Sequence, residues 1–335
     1  MATKIPKSLD HAATPFFVAM RHFLPLLLLL ASLLLAASPS AAQAARPVAF
    51  VSLPFDLVNG LVVLRNLELN GQHGDFILDT GSNYGLVVER AAFAGQLHGA
   101  VVSGVGVSGA LQVQQLAVTS FQFGATHYTG LRAMATSLAN VRRFAGPHLL
   151  GFIGTEILQK YEVVIDYAHR RLSCYPLRAG KAAKRPPFVR TDSLRFTLPQ
   201  GKPVTRGYLG QTPVQLVLDT GAQSISLDLT FVQQLAPAQR PRLLGGTEPF
   251  TGVGGGQQQG QRAVLPELIL PPTAWRELPV VLAKLAQPTS GPALPYQGIL
   301  GFAFLSQSAV VSFHYGRRQF YALTPLAATK TLPKQ

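Results

Sequence analysis

The sequence contains a single cysteine, Cys174, among its 335 residues. One cysteine cannot form an internal disulfide, and zinc or iron–sulfur sites built from cysteine are excluded. The eight histidines are scattered, and none forms an i, i+4 pair beside a glutamate. The sequence therefore predicts no metal site and no cofactor, and the fold must be held by its hydrophobic core.

Charged residues are also scarce, at 13%, and the 15 acidic residues are outnumbered by 29 Lys and Arg, which gives a formal net charge of +14. Nucleic-acid binding requires clustered cations with interleaved aromatic residues. The basic clusters here are short, as in KAAKR at 181–185 and GRRQF at 316–320. We therefore expect no nucleic-acid partner, although weak attraction to an anionic envelope surface stays open.

Hydrophobic residues make up 47% of the chain, together with 31 Gly and 25 Pro. This composition argues against disorder, and the length suffices for two domains with a substantial core. The many glycines and prolines indicate frequent turns, which favours short strands over long helices.

The N-terminal region has the pattern of a signal peptide. An apolar run from Phe23 to Ala37 is followed by small residues, and Ala42-Gln43-Ala44 fits a cleavage site after Ala44. We interpret residues 1–44 as a signal peptide, with Met20 as a second candidate start. The run is shorter than the roughly 20 residues of a membrane-spanning helix, but an uncleaved anchor is the alternative. The expected location is the periplasm or the medium.

The chain contains an internal repeat. FILDTGSNYGLVV at 76–88 and LVLDTGAQSISL at 216–227 each place Asp-Thr-Gly after three apolar residues. Later, the segments 151–172 and 298–319 match at a constant offset, including paired glycines and an Arg-Arg pair. The repeat predicts the following organisation: an N-terminal lobe at 45–177, a basic Pro-ending linker at 178–187, a C-terminal lobe at 188–326 and a tail at 327–335.

Within each lobe the apolar periodicity is mostly that of strands. Turn signals at Asn70-Gly71 and Gly210-Gln211 separate apolar runs and predict β-hairpins. Short helical patterns follow each Asp-Thr-Gly and each later paired glycine. We predict an all-β, bilobed fold of two pseudo-twofold-related β-barrel lobes with short helices.

Each lobe also has a glycine-rich middle segment, at 103–116 and 251–265. Neither segment carries the Lys-Ser/Thr of a phosphate-binding loop, and each precedes a strand pattern, so a nucleotide site is rejected. A flexible hairpin over a cleft fits better, and a plain surface loop is the alternative. The flap candidates are Gly104, Val105, Gly106, Gly252, Val253 and Gly254.

Two carboxyls at the ends of buried strands in related lobes can meet at a pseudo-twofold axis. We predict that Asp79 and Asp219 share one proton, since two neighbouring carboxylates do not both ionise readily. One then deprotonates a water and the other protonates a carbonyl oxygen. The residues expected to support this pair are Thr80, Gly81, Ser82, Thr220, Gly221 and Ala222.

These motifs resemble the aspartic peptidases, in particular the retropepsin-like branch and its bacterial gag-polyprotein type, in two fused copies. The resemblance rests on ILDTGS, VLDTGA, the flap-like GVGVSG and GVGGG, and the later FIG and ILG triplets. It implies that each triplet, 152–154 and 299–301, crosses behind a catalytic strand. Asp166 and Glu156 have no acidic counterpart in the second lobe, and we assign them structural roles.

The predicted function is an exported, monomeric aspartic endopeptidase acting on a peptide or protein substrate. The alternative from another class is a catalytically inactive envelope binding protein that keeps the fold. A third possibility is a basic surface protein that binds anionic polymers, in which the Asp-Thr-Gly motifs are only structural.

Overall fold

A computed structural model gives the structure of four segments of the chain, all within the unit Pro47–Gln335. The described residues are 50–177, 188–253, 257–286 and 295–325. The predicted signal peptide, linker and C-terminal tail lie outside them. None of the helices in these segments has the length and apolarity that crossing a membrane requires.

The first lobe is built from short strands. They are β1 (Val51–Pro54), β2 (Asp56–Val58), β3 (Leu61–Leu69), β4 (Gln72–Leu78), β5 (Leu86–Glu89), β6 (Leu97–Gly106), β7 (Gly109–Ala117), β8 (Phe121–Phe123), β9 (Thr126–Tyr128), β10 (Arg132–Thr136), β11 (Leu149–Ile153), β12 (Tyr161–Asp166) and β13 (Arg171–Pro176). Its helices are a 3-10 helix (Arg90–Gln96), α1 (Ala139–Ala145) and α2 (Thr155–Leu158).

The second lobe repeats this plan. Its strands are β14 (Phe188–Thr197), β15 (Val204–Leu209), β16 (Thr212–Leu218), β17 (Ile225–Asp228), β18 (Arg242–Thr251), β19 (Gln257–Leu270), β20 (Thr273–Ala283), β21 (Gly298–Leu300), β22 (Val310–His314) and β23 (Gln319–Pro325). Its helices are α3 (Leu229–Gln234), α4 (Phe302–Leu305) and two 3-10 turns (Pro199–Gly201, Pro237–Gln239). The all-β, two-lobed prediction is confirmed.

The repeat is visible in the strand pairing. In the first lobe β11 runs parallel to β4 and antiparallel to β5, and in the second lobe β21 pairs in the same way with β16 and β17. The hairpins predicted at 70–71 and 210–211 are the turns of β3–β4 and β15–β16. Asn70 and Gly71 both have positive φ, as a two-residue hairpin turn requires.

The lobes share one sheet. The antiparallel order β1-β13-β12-β22-β23-β14 joins them, with β12 beside β22 at the centre. There Val163 faces Phe313 and Val164 faces Ser312. The Arg-Arg pairs lie at the hairpin turns of this sheet, where Arg170 and Arg318 have positive φ. Asp166 stabilises the turn between β12 and β13, since its carboxylate accepts hydrogen bonds from the backbone N–H and the ring of His169.

The strands that lead to the Asp-Thr-Gly motifs are deeply buried. Phe76, Ile77 and Leu78 of β4 are fully buried, as are Leu216 and Leu218 of β16. Consecutive residues of each strand point to opposite faces of the sheet and are all buried, so both faces are covered and a continuous apolar run is favourable. In the second lobe a pairing of β15 with β19 closes the strands into a barrel.

Candidate active site

The two Asp-Thr-Gly loops meet at the junction of the lobes. They follow directly on β4 and β16, whose last residues are Leu78 and Leu218. The triplet strands β11 and β21 lie beside them, with Ile153 facing Leu78 and Leu300 facing Leu218. The backbone N–H groups of both aspartates donate to these neighbours, Asp79 to the Ile153 carbonyl and Asp219 to that of Leu300.

Four hydrogen bonds between the two threonines and the opposite loops hold this junction. Thr80 Oγ1 donates to the carbonyl of Leu218 at 2.7 Å and accepts from the Thr220 N–H at 3.0 Å. Thr220 Oγ1 donates to the carbonyl of Leu78 at 2.7 Å and accepts from the Thr80 N–H at 3.0 Å. Both side chains are fully or almost fully buried. The matched distances show that a local twofold relates the loops.

The carboxyl groups of Asp79 and Asp219 lie side by side at this local twofold, since a Cβ added to Gly221 would lie 2.7 Å from Asp79 Oδ1 and 3.2 Å from Asp219 Oδ1. Each also accepts from the glycine of its own loop, Asp79 from the Gly81 N–H and Asp219 from the Gly221 N–H, both at 2.8 Å. A Cβ added to Gly81 would lie 2.3 Å from Asp219 Oδ2. The glycine is therefore required because the opposite carboxyl packs against the backbone at this position.

The environment favours a shared proton. Burial and the neighbouring Asp219 charge raise the pKa of Asp79 well above its ordinary value, against the opposing effects of the Gly81 N–H and Lys202. Burial also raises the pKa of Asp219, while the Gly221 N–H and Lys202 act in the opposite direction. The pair thus keeps a proton at pH values where an isolated aspartic acid has lost it.

The residues after each motif tie the loops to the helices behind them. The carbonyl of Ser82 accepts from the N–H and the hydroxyl of Thr155 at the start of α2, at 2.8 and 2.9 Å. The carbonyl of Ala222 accepts from the N–H of Phe302 at the start of α4, at 2.8 Å. Glu156 lies outside this arrangement and forms an ion pair with Arg132 on the surface.

The glycine-rich hairpins β6–β7 and β18–β19 form a roof over the carboxyls. Their tips are joined, since the Gly252 N–H donates to Ser108 Oγ and the Gln258 side chain donates to the Ser108 carbonyl, both at 3.0 Å. The roof and the two loops enclose a cavity of about 660 Å³. The flap candidates found in its lining are Gly104, Val105, Gly106, Gly252 and Val253, whereas Gly254 lies outside the described residues.

Each hairpin tip packs against the opposite lobe. Val253 of the second-lobe hairpin lies on the apolar cluster that contains Leu61 and Phe152 of the first lobe. Val107 of the first-lobe hairpin lies on the cluster that contains Tyr296 and Ile299 of the second lobe. Each lobe thus contributes one hairpin to the roof, and each tip rests on the other lobe.

This arrangement predicts that the roof opens locally. We expect the amides of 104–109 to exchange hydrogen faster than those of β4, and to slow when a transition-state-like peptide is bound, because β4 is covered on both faces. Hydrogen exchange followed by mass spectrometry measures both rates. Ser108→Ala, which removes the Ser108 hydroxyl from the tip contact, should accelerate exchange in the free protein. Ser103→Ala, in the same hairpin away from the tip, is the matched control; equal protection with and without the peptide would contradict a flap role.

Two features of the cavity were not anticipated from the sequence. The helix α1 contributes Val141 and Phe144 to an apolar wall, and Lys202 places a cation in the lining. Lys202 could have been found by aligning the residues that precede each Asp-Thr-Gly, where Asn59-Gly60-Leu61 corresponds to Gln200-Gly201-Lys202. Among the described residues, no group of three His, Cys, Asp or Glu side chains is arranged to hold a metal ion.

Residues 205–304 match the sequence model of a family described as aspartyl protease. This match confirms the resemblance to aspartic peptidases that the motifs indicate. No curated protein matches the chain. Among solved structures, the crystal structure of basic 7S globulin from soybean is 13% identical with a TM-score of 0.43, and the alignment covers 82% of this chain and 95% of that chain.

Proposed function

We propose that this chain, whose residues 205–304 match the aspartyl protease family, is an exported aspartic endopeptidase in which Asp79 and Asp219 activate a water molecule. The observation that carries the proposal is the juxtaposition of two partly buried carboxyl groups, one from each lobe, beneath a roof that leaves room for a peptide. Both carboxyls come from one chain, so a monomer suffices for the site.

The chemistry follows from one proton shared by two groups. The ionised carboxyl accepts a proton from the water as its oxygen attacks the peptide carbonyl carbon, and the protonated carboxyl donates to the carbonyl oxygen. When the tetrahedral intermediate collapses, the carboxyl that took the proton from water gives it to the leaving amine, and the other carboxyl takes a proton back from a hydroxyl of the intermediate as the carbonyl re-forms. The C–N bond breaks and the dyad returns to its starting protonation state, so no metal or covalent intermediate is needed.

The roof supplies the binding surface for the rest of the substrate. The hairpin strands β6–β7 and β18–β19 lie above the carboxyls, and an extended peptide beneath them can exchange backbone hydrogen bonds with these strands. Closure over the peptide excludes water other than the one held by the dyad. A cleft between two lobes can take an extended internal segment of a flexible chain, which is the basis for proposing an endopeptidase.

The decisive experiment is incubation of the protein lacking residues 1–44 with a mixed peptide library across pH, with product detection by mass spectrometry. Cleavage that is absent in the Asp79→Asn variant supports the peptidase. Specific peptide binding by both proteins without cleavage would instead support the catalytically inactive binding protein. Binding of anionic polymers alone, weakened by salt, would support the basic surface protein.

Export gives a separate prediction. If residues 1–44 act as a signal peptide, the mature protein begins near Ala45, because Ala42-Gln43-Ala44 places small residues at the cleavage site. N-terminal sequencing of protein recovered outside the cytoplasm measures this directly. A start retained at Met1 or Met20 would contradict cleavage and favour the anchored alternative.

A further inference from the structure

The two halves of the cavity differ in chemistry, although the repeat builds both. The first-lobe side contains an apolar wall of Val87, Val141, Phe144 and Phe152, although polar side chains such as Asn83 also line it. The second-lobe side carries Lys202 and the phenol of Tyr296. A peptide spanning the dyad therefore meets an apolar wall on one side and a cation on the other.

The cation occupies a position that the repeat makes equivalent to an apolar one. Asn59-Gly60 and Gln200-Gly201 form matching turns, with φ of 50° and 81° in the first and 50° and 79° in the second. The next residues are Leu61, which is 2% exposed, and Lys202, which is only partly buried. Since the backbones match, the difference between the two sides lies in the side chain rather than in a different loop.

The ammonium group of Lys202 is held by an uncharged partner. Its Nζ lies 5.5 Å from the ring centroid of Tyr296 and 3.5 Å from the Tyr296 hydroxyl. No ion pair joins Lys202 to a carboxylate of the described residues. Glu248, the other acidic side chain in the lining besides the dyad, accepts instead from Ser224 Oγ at 3.1 Å.

The ring of Tyr296 therefore orients the cation without neutralising it. A partly enclosed ammonium gains a charge-assisted hydrogen bond from an incoming carboxylate, and this bond is stronger than one to a neutral amide. Lys202 acts on the dyad at a distance, since its charge lowers the pKa of both carboxyls, but neither carboxyl forms an ion pair with it and each accepts from the glycine N–H of its own loop.

We propose that Lys202 is a specificity residue that binds a substrate carboxylate beside the scissile bond, while an apolar substrate side chain occupies the first-lobe wall. This inference rests on the proposed peptidase function. The carboxylate is that of a glutamate or aspartate side chain, or the terminal carboxylate of a short peptide. In either case the preferred substrate has an apolar residue on one side of the bond and a carboxylate on the other.

The test uses a peptide from the library in four forms, with Glu or Gln at the residue on the Lys202 side and with a free or amidated C-terminus. We expect the Glu form to exceed the Gln form in kcat/KM by about 10- to 100-fold for the wild-type protein. Lys202→Leu, which installs the residue of the first lobe, should bring this ratio close to one, and Lys202→Arg should keep it above one. If kcat/KM instead depends on whether the C-terminus is free or amidated, and not on Glu against Gln, the terminal carboxylate is the ligand.

Arg206→Leu is the matched control, because Arg206 lies over the ring of Tyr208 in the same lobe but outside the cavity lining. Its Glu-to-Gln ratio should equal that of the wild type. The dissociation constants of the four peptides are also measured for the Asp79→Asn variant and for the Asp79→Asn, Lys202→Leu double variant. Carboxylate preference is then measured even if no bond is cleaved. Failure of the peptidase function is thereby separated from failure of the inference.

Wild-type ratios near one for both pairs of peptides, or a ratio that persists in Lys202→Leu, would overturn the inference. A Lys202→Leu variant that moves the pH profile but leaves the ratio unchanged would also overturn it. In that case Lys202 acts on the protonation of the dyad rather than on the substrate.

Discussion

Asp79→Asn and Asp219→Asn are each expected to lower kcat/KM for peptide cleavage by at least about 10³-fold. Each carboxyl supplies half of one shared-proton site, and an amide can neither take the proton from water nor return it. The double variant should lower kcat/KM little more than either single variant, since the effects of substituting groups that act as a unit are not additive. The measurement is a pH–rate profile for the wild type beside the three variants.

The wild-type profile should fall at high pH, when the second proton leaves the dyad and the acid is lost. The midpoint of this fall lies above the ordinary pKa of an aspartic acid, because burial and the paired carboxyl raise the pKa of Asp79. Full activity in either single variant would contradict the mechanism. Glu156→Gln serves as the control, since Glu156 pairs with Arg132 on the surface and not with the dyad.

The same pKa shift links the dyad to stability. A carboxyl whose pKa is raised by folding binds its proton more tightly in the folded state than in the unfolded state. Its contribution to the free energy of unfolding is therefore fully present below the unfolded pKa and is lost as pH rises through the folded pKa. Asp79→Asn lacks the part of this dependence that Asp79 contributes, so its melting temperature relative to the wild type should rise with pH over this window.

The second large effect is expected from the threonines at the lobe junction. Thr80→Val removes a hydroxyl that donates to the Leu218 carbonyl and accepts from the Thr220 N–H, and leaves both groups buried without a partner. At about 1 to 3 kcal/mol for each group, the free energy of unfolding should fall by about 2 to 6 kcal/mol. Thr220→Val should have a similar effect, because Thr220 makes the equivalent hydrogen bonds to the Leu78 carbonyl and the Thr80 N–H.

Thr80→Ser is the matched control, since it keeps the hydroxyl and removes only a methyl group. Urea unfolding of the Val and Ser variants compares the two directly. We also expect the Val variant to lose activity out of proportion to its stability, because the threonine contacts set the separation of the carboxyls. A Val variant as stable as the Ser variant would show that the cross-lobe hydrogen bonds contribute little.

Much of the fold can be predicted from the sequence because it depends on local patterns. The turns at 70–71 and 210–211, the short helices after each motif and the hairpins with Arg-Arg turns are all encoded within about 20 residues. The Asp79–Asp219 contact could be inferred because the repeat implies a twofold relation, even though the motifs are 140 positions apart. A repeated motif thus substitutes for the long-range information that a single copy lacks.

The remaining features depend on tertiary context. The helix α1 has no side-chain cap and few signals of its own, and its buried Val141 and Ala145 show that packing on the first lobe stabilises it. Likewise, nothing in the local sequence of Lys202 distinguishes it from a surface lysine. The position of its ammonium group depends on Tyr296, which lies 94 positions later in the chain and contacts it through the phenol.

The sheet that joins the lobes has a consequence for how the chain reaches its native state. The side chain of Ser312 on β22 donates to Glu162 on β12, 150 positions earlier in the chain. Until β22 has been made, β12 has an unpaired edge that can recruit a strand from another molecule. Pairings of such long sequence separation are slow to form. Newly synthesised chains therefore pass through a period of vulnerability to strand exchange, and a chain cut between the lobes would keep that exposed edge permanently.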